Sequence, residues 1–288
     1  MKLSVIIPCL NAASTIGVQL EALAKQQWHQ PWEVIVADNG STDESLAIVE
    51  LYKARIPNLR VADASARRGQ PCALNVGAMA ATGEALAFCD ADDEVAPGWV
   101  AAMGEALSKY DFVASRIDTE KLNPPWLAEI SRNHPQRNGL LQKALYPPYL
   151  PHAGGGTIGV KRNLHEAVGG FDGSLPYLHD TDYCFKIQLR GVDLHLVPDA
   201  VIHVRLRDTF RGIFHQARHY SEYRVLVYKK YRAHRELWRW KAYIAEWKDL
   251  LWSIHKIRSK SARGVWMWRL GSQIGSLQGS IKHWGPPV

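Results

Sequence analysis

The fold prediction depends on one stretch, Ala85-Leu86-Ala87-Phe88-Cys89-Asp90-Ala91-Asp92-Asp93-Glu94. Its apolar half predicts a buried strand, so its three aspartates lie just past the carboxyl end of that strand. Carboxylates packed this closely repel one another. A hard divalent cation relieves the repulsion, and Mg²⁺ commonly bridges one or two carboxylates to substrate phosphates. On these residues alone, a metal site and an acidic loop that caps the helix after Pro97 are equal alternatives.

The composition is that of an ordinary globular protein, with 288 residues, 47% of them hydrophobic and 22% charged. The apolar run at the N-terminus breaks at Pro8, too soon for a signal peptide. No stretch approaches the roughly 20 apolar residues that a membrane-spanning helix needs. The four cysteines are scattered without paired metal spacing, which favours reduced thiols. We therefore expect a cytoplasmic protein.

Charge divides the chain into two parts. Residues 1–204 hold 17 Lys+Arg and 23 Asp+Glu, a balance of −6, whereas residues 205–288 hold 18 and 5, a balance of +13. Seven of the eleven tryptophans also lie in the second part. This asymmetry predicts a catalytic or binding domain over 1–204, followed by a basic, Trp-rich helical region over 205–288 that meets an anionic partner.

Strands alternate with helices along the first part of the chain. The predicted strands cover 3–8, 33–37, 59–62, 85–89 and 111–115, and the predicted helices cover 14–27, 44–55, 70–81 and 98–109. Two further strands are predicted over 194–198 and 201–205. This alternation predicts a mostly parallel α/β sheet with helices on both faces, which binds ligands beyond the carboxyl ends of its strands. Asp38 and the aspartates of 90–93 follow two such strands. Neither a glycine-rich dinucleotide loop nor a Walker loop is present, so a metal and basic side chains must hold any phosphates.

Six ordered segments of the chain form a recognisable set. The segments are Ser4-Val5-Ile6-Ile7-Pro8; Asp38-Asn39-Gly40-Ser41-Thr42-Asp43; Arg68-Gly69 with Asn75-Val76-Gly77 and Ala81-Thr82-Gly83-Glu84; Asp90-Ala91-Asp92-Asp93; Gly169-Gly170-Phe171-Asp172; and His179-Asp180-Thr181-Asp182-Tyr183-Cys184-Phe185 with Arg190-Gly191. They cover residues 3–203, and together they resemble the family 2 glycosyltransferases, which have the GT-A fold and use nucleotide-sugar donors. The resemblance implies a nucleotide-sugar-binding half over 1–115 and an acceptor-binding and catalytic half over 116–204.

The resemblance implies donor-site roles for Pro8, Asn11, Asp38, Arg68, Asp90 and Ala91. Asp38 would contact the nucleobase, Asp90 the ribose, and Asp92 a metal ion, Mn²⁺ or Mg²⁺. His203 fits the position of a histidine that completes the metal site in many members, and imidazole is an acceptable ligand for Mn²⁺. The alternatives are a turn-capping role for Asp38, a solvated surface position for Arg68 and a core position for His203.

Transfer of a sugar to an alcohol with inversion needs a base that takes the hydroxyl proton. Family members usually carry Glu-Asp at the start of the corresponding helix, and the Asp is the base. Asp180 matches that Asp, whereas His179 replaces the Glu and leaves acceptor recognition in doubt. We expect His179, Gly155 and Asp182 to contact the acceptor, although an aspartate at a helix start is often only an N-cap.

The C-terminal region predicts two amphipathic helices. Leu237, Trp240, Ile244, Trp247, Leu251 and Ile254 recur at steps of three and four and predict a helix over about 235–255, with a weaker one over 264–281. These helices would pack on the body of the protein, pack on a second subunit in a homodimer, or lie on an anionic membrane. No recognised module supports binding of nucleic acid.

The predicted function is inverting, metal-dependent transfer of one sugar from a UDP-, GDP- or dTDP-linked donor to a sugar, lipid-linked or small-molecule acceptor. Biosynthesis of cell-surface polysaccharide, glycolipid or another glycoconjugate is the expected context, in the cytoplasm or peripheral at the inner face of the membrane. The missing spanning helices and the missing Gln-x-x-Arg-Trp motif argue against a processive synthase. The alternatives are a nucleotidyltransferase-like enzyme and a non-catalytic, membrane-associated scaffold protein.

Overall fold

A computed structural model describes residues 1–56, 58–232 and 240–287, together with their side chains except those of residues 240–242. The chain forms two compact units. The first contains residues 1–122, 134–142 and 151–205, and the second contains residues 123–133, 143–150 and 206–288. The domain boundary at residue 204 stays a prediction. The second unit contains residues 123–133 and 143–150 in addition to the C-terminal residues.

The first unit is built on an eight-stranded, mostly parallel sheet. The strands of the chain are β1 (Leu3–Cys9), β2 (Trp32–Asp38), β3 (Leu59–Asp63), β4 (Ala85–Phe88), β5 (Glu94–Val95), β6 (Phe112–Asp118), β7 (Gln142–Lys143), β8 (Pro151–His152), β9 (Ile158–Lys161) and β10 (His195–His203). The order in the sheet is β3-β2-β1-β4-β9-β6-β10-β5. Only β9, against β4 and β6, and β5, against β10, pair in the antiparallel direction within this sheet.

Helices cover both faces of the sheet. Among the described residues, the helices of the first unit are α1 (Ile16–Ala24), α2 (Ser45–Tyr52), α3 (Gln70–Ala80), α4 (Trp99–Lys109), α6 (Arg162–Ala167) and α7 (His179–Gln188). Those of the second unit are α5 (Pro125–Ile130), α8 (Phe210–Tyr231), α9 (Trp240–Trp252) and α10 (Lys260–His283). Because successive strand residues point to opposite faces, Val5 packs in one core with Leu20 and Trp99 of α1 and α4. Its neighbour Ile6 packs in a second core with Leu74 of α3. The predicted α/β class is confirmed.

The region around β10 differs from the sequence prediction. Strands predicted over 194–198 and 201–205 form one strand, with a register shift between Val197 and Val201. The two-residue strand β5 is too short to give a periodic signal and was not predicted. It pairs with the end of β10, with Glu94 opposite His203. This pairing fixes the end of β10 beside the acidic stretch.

The second unit is helical, and glycines bring α10 against α8. A Cβ on Gly271 would lie 2.4 Å from the carbonyl oxygen of Phe214, and one on Gly275 would lie 2.0 Å from that of Arg218. The two backbones are therefore closer than any larger residue permits. The predicted helix over 264–281 corresponds to α10, and the one over about 235–255 corresponds to α9, although Leu237 lies outside the described residues.

Among residues 1–56, 58–232 and 240–287, no helix combines the length and the apolar character that crossing a membrane requires.

Candidate functional site

The predicted donor-site acids lie at one edge of the sheet. In the parallel β1–β2 pair, Cys9 is opposite Asp38, and Pro8 is opposite Ala37. In the parallel β1–β4 pair, Ile6 is opposite Phe88, after which the chain enters the acidic stretch. The carboxyl ends of β1, β2 and β4 therefore meet, as the alternating pattern predicts.

Asp38 closes a tight turn at the end of β2. Its buried carboxylate accepts hydrogen bonds from the N–H groups of Gly40 at 3.1 Å and Ser41 at 3.2 Å. Gly40 has a φ of +86°, a conformation that favours glycine. The guanidinium of Arg68 covers this turn, since a Cβ on Gly40 would lie 3.6 Å from its Cζ. An ionised carboxylate has about four acceptor positions, so the two N–H groups leave acceptor capacity on Asp38.

Two asparagines join the loops around this turn. Asn11 donates its backbone N–H to Ser41 Oγ at 3.0 Å and accepts from the N–H of Thr42 at 2.8 Å. Asn39 donates to the carbonyl of Arg67 at 2.9 Å and accepts from the N–H of Gly69 at 2.8 Å. Sequence reasoning gave Asn39 no role, although it lies in the quoted segment 38–43. The loop that carries Arg68 is thus tied to the end of β2.

The acidic cluster is formed by Asp90, Asp92 and Asp93. Each offers a carboxylate oxygen, and these three atoms lie within 4.8 Å of one another. Asp90 Oδ1 accepts a hydrogen bond from Gln70 at 2.8 Å. Asp93 Oδ1 accepts from the backbone N–H of Arg205 at 2.8 Å, and the Arg205 side chain donates to the carbonyl of Asp92 at 3.1 Å. The segment after β10 therefore holds the cluster from one side.

Electrostatics favour a cation at this cluster. Burial, and then the charges of Asp90 and Asp92, raise the pKa of Asp93 well above its usual range. Carboxylate oxygens are the ligands that hard cations such as Mg²⁺ and Mn²⁺ accept in proteins. A bound divalent cation would remove the repulsion that opposes ionisation of all three groups. The donor set thus fits the expected metal.

His203 stands beside the cluster, held by Asp118. Within the described part of the chain, the acids and histidines close enough together to share an ion are the three aspartates, without His203. His203 Nδ1 lies 2.7 Å from Asp118 Oδ2, and the Asp118 carboxylate also accepts from the N–H groups of Glu120 and Lys121 at 3.3 Å. Sequence reasoning missed Asp118. It is an acid at a strand end, as Asp38 is, but only the alignment of β6 with β10 shows that it faces His203.

A loop of three glycines, Gly154-Gly155-Gly156, which we call the glycine loop, contacts both Asp180 and the acidic cluster. Asp180, the second residue of α7, accepts hydrogen bonds from the N–H groups of Gly155 at 3.0 Å and Thr181 at 2.7 Å. The next residue, Gly156, packs against Asp90, because a Cβ on it would lie 2.6 Å from Asp90 Oδ2. One peptide link of the loop therefore separates the contact to Asp180 from the contact to Asp90.

His179 and Asp182 flank Asp180 but occupy different surroundings. His179 is buried, and neither ring nitrogen has a hydrogen-bond partner among the described residues. Burial lowers the pKa of His179, which keeps the ring neutral at pH 7. Its Nε2 lies 3.7 Å from the position of a Cβ on Gly155. Asp182 is fully buried, with one oxygen 3.9 Å from Lys186 Nζ.

Comparison with known sequences identifies relatives of the N-terminal part. Residues 4–169 match the sequence profile of a family described as "Glycosyl transferase family 2". The chain is 43% identical over 125 residues to YibD of Escherichia coli K12, described as an uncharacterized glycosyltransferase. That match covers 43% of this chain and 34% of YibD, so the chain spans about a third of this relative.

Comparison with solved structures identifies the fold. The mannosyltransferase PcManGT from Pyrobaculum calidifontis, in complex with GDP-Man and Mn²⁺, superposes with a TM-score of 0.61 at 20% identity, over 97% of this chain and 75% of that chain. Staphylococcus aureus TarS 1–349, in complex with UDP-GlcNAc, gives a TM-score of 0.57 at 17% identity, over 99% of this chain and 93% of that chain. The fold that the sequence resemblance implied is confirmed.

Proposed function

The chain belongs to glycosyl transferase family 2, and we propose on this basis that it is an inverting glycosyltransferase that moves one sugar from a nucleotide-diphosphate-sugar to an acceptor hydroxyl. One observation carries the proposal. The glycine loop holds Asp180 beside the acidic cluster of Asp90, Asp92 and Asp93. A single displacement needs these two parts together, a base for the acceptor and a place for the charged leaving group.

The donor site in this proposal lies over the ends of β1, β2 and β4. Asp38 accepts a hydrogen bond from the nucleobase, since its turn leaves acceptor capacity on the carboxylate. Pro8 and Asn11 line the same edge from β1 and the turn after it. Arg68, over Gly40, offers positive charge to the diphosphate. GDP-Man and UDP-GlcNAc are the donors named for PcManGT and TarS, and we propose a donor of the same chemical class here, linked to UDP, GDP or dTDP.

Asp92 would hold the metal, Asp90 would contact the ribose, Ala91 between them would belong to the donor site, and Asp93 would support the cluster. His203 would add Nε2, because Asp118 already occupies Nδ1. Histidines that bind metals commonly donate their other ring N–H to a carboxylate, which fixes the tautomer and the ring orientation. A bound Mn²⁺ or Mg²⁺ supplies neutralisation of the charge that develops on the leaving diphosphate.

Asp180 is the base in this proposal. The N–H groups of Gly155 and Thr181 each hold one of its oxygens, so the carboxylate has a fixed orientation. It takes the acceptor hydroxyl proton as the acceptor oxygen attacks the anomeric carbon. One bond forms, from that oxygen to the anomeric carbon. One bond breaks, from the same carbon to the diphosphate, which leaves as the nucleoside diphosphate.

His179 contacts the acceptor in this proposal, together with the backbone of Gly155. A neutral imidazole offers one donor and one acceptor to a hydroxyl, and both ring nitrogens lack partners. Asp182 is fully buried beside Lys186, and its contact with the acceptor stays a prediction. A sugar, a lipid-linked sugar or a small molecule that presents a hydroxyl can form hydrogen bonds with these groups. The proposal includes a cytoplasmic location, with the protein peripheral at the inner face of the membrane.

The stereochemistry of donor turnover tests the proposal without knowledge of the acceptor. A thermal-shift screen of UDP-, GDP- and dTDP-sugars with Mn²⁺ or Mg²⁺ selects the donor. Water then replaces the acceptor, and NMR follows the first sugar anomer released. We expect the inverted anomer, as a single displacement requires. Release of the retained anomer, or of a nucleoside monophosphate with a sugar phosphate, would contradict the proposal.

A further inference from the structure

One face of α9 and of the turn after it is apolar and exposed. Its large side chains are Ile244 (51% exposed), Leu251 (61%), Trp252 (77%) and Ile254 (53%), which we call the α9 outer face. Single exposed apolar residues are normal on a protein surface. Four large ones within eleven residues of chain form a patch of the kind that marks an interaction site.

The opposite face of α9 is already fixed to α10. Tyr243 donates its hydroxyl to the carbonyl of Gln273 at 3.0 Å, and Leu250 is fully buried. Trp266 of α10 donates its indole N–H to the carbonyl of Leu250 at 3.1 Å. Packing within the second unit therefore uses the inner face of α9, whereas the side chains of the α9 outer face are exposed.

Basic side chains accompany the α9 outer face. Residues 244, 248 and 251 follow one another at steps of four and three, which places Lys248 on the same stripe as Ile244 and Leu251. Lys256 and Arg258 are exposed just after the helix. The nearby acid Asp249 is paired with Arg269 at 2.5 Å, so it offsets little of the local positive charge.

The whole second unit is basic. Residues 123–133, 143–150 and 206–288 hold 19 Lys+Arg against 6 Asp+Glu, a balance of +13. A second copy of the chain would bring two such units face to face, and like charges oppose that contact. A nucleic acid would pair with the cations but would leave Ile244 and Leu251 in water. An anionic bilayer satisfies both features.

We propose that the α9 outer face docks on an anionic lipid surface. Ile244, Leu251 and Ile254 enter the boundary between headgroups and acyl chains, and Trp252 lies at the headgroup level, where tryptophan is favoured. Lys248, Lys256 and Arg258 keep their charges in the anionic headgroup layer while their stems follow the apolar surface. The docking needs no donor. Only its consequence, access to a lipid-linked acceptor, rests on the proposed function.

Vesicle co-sedimentation of the full chain tests the docking. The vesicles are phosphatidylcholine alone, and phosphatidylcholine mixed with phosphatidylglycerol. We expect binding to the mixed vesicles at least about tenfold tighter than to phosphatidylcholine, weakened by added salt. Leu251→Ser/Trp252→Ser and, separately, Lys248→Glu/Lys256→Glu should each weaken binding to the mixed vesicles at least about tenfold. The matched control is Leu51→Ser, an exposed leucine on α2 that should bind as the wild type does.

Three results would overturn the proposal. The first is equal binding of the wild type and both double variants to the mixed vesicles. The second is a dimer in light scattering that either double variant dissolves. The third is tighter binding to RNA than to the mixed vesicles. Donor affinity, measured by calorimetry without vesicles, should be the same in wild type and double variants, so failure of the docking and failure of the proposed transferase activity are distinguishable.

Discussion

The ring nitrogen Nδ1 of His203 lies 2.7 Å from Oδ2 of Asp118, although 85 residues separate the two in the chain. The partners belong to neighbouring parallel strands, β10 and β6, whose register places His203 opposite Asp118. The contact orients the imidazole and leaves Nε2 as the nitrogen available to a metal. The contribution of this contact to metal affinity can be measured by mutation of Asp118.

Replacement of Asp118 by asparagine should weaken metal binding. Loss of the carboxylate partner of a metal-binding histidine typically lowers affinity or activity by roughly 10- to 100-fold. We expect a loss in this range for Mn²⁺ alone, measured by calorimetry in the absence of donor. The control is Asp199→Asn, which changes an exposed acid on the same strand. Unchanged Mn²⁺ affinity in Asp118→Asn would mean that His203 is not a ligand.

The glycine loop should tolerate a methyl group at one position and not at another. A Cβ on Gly156 would lie 2.6 Å from Asp90 Oδ2, whereas a Cβ on Gly154 would have no neighbour within 4 Å. Gly156→Ala should therefore displace the Asp90 carboxylate. We expect metal-dependent donor binding to weaken at least about tenfold, which corresponds to about 1.4 kcal/mol of binding free energy. Gly154→Ala should bind donor like the wild type. Equal donor affinities in the two variants would remove Asp90 from the donor site.

We expect His179 to lower the folding stability of the protein and to raise the rate of sugar transfer. Its unpartnered buried nitrogens cost folding free energy, whereas an apolar side chain of similar size carries no such cost. His179→Leu should therefore leave the free energy of unfolding equal or raise it by about 1 kcal/mol, and should lower the rate of sugar transfer. Urea denaturation and a transfer assay measure the two quantities. A variant that is destabilised by several kcal/mol would assign His179 a structural role instead.

Acid should destabilise the first unit through His165. Burial, and then the charges of Lys186 and Arg162, lower the pKa of His165 from 6.5 to about 4. Between about pH 6.5 and pH 4, His165 therefore binds a proton in the unfolded chain but not in the folded chain. This contribution to stability is complete above about pH 6.5 and is lost as the pH falls to about 4, to a total of about 3 kcal/mol.

Urea denaturation between pH 7 and pH 4.5 checks the effect of His165. His165→Gln should flatten the fall in unfolding free energy relative to the wild type, whereas His29→Gln, at an exposed histidine, should not. Parallel curves for the wild type and His165→Gln would show that the burial of His165 does not govern the acid sensitivity.

The sequence predicted those parts of the fold that local patterns encode. The alternation of apolar runs with helical periods predicted the sheet, and the acids at the ends of β2 and β4 predicted the edge of the sheet at which we propose the donor site. The resemblance then supplied roles for Asp38, Asp92, Asp180 and His203, which stay proposals. Family segments carry such roles because a donor and a base require particular residue types at particular strand ends.

The remaining features depend on pairing between distant parts of the chain. Asp118 ends a strand, but its partner His203 is identified only when β6 and β10 are aligned. The strand β5 has two residues, and only its partner strand defines it. Close packing of α8 on α10 depends on Gly271 and Gly275, which weaken the amphipathic pattern by which helices are recognised. The burial of Asp182 likewise depends on how α7 packs in the folded chain, which an acidic helix start does not reveal.

Calorimetric titration of the selected nucleotide-sugar into the wild type, Asp92→Asn and Asp180→Asn, with Mn²⁺ and with a chelator, tests the central claim most directly. We predict metal-dependent binding to the wild type, loss of that binding in Asp92→Asn, and near-normal binding in Asp180→Asn, which should turn over roughly 10² to 10⁴ times more slowly. Equal metal-dependent affinity in the wild type and Asp92→Asn, together with normal turnover by Asp180→Asn, would contradict the account.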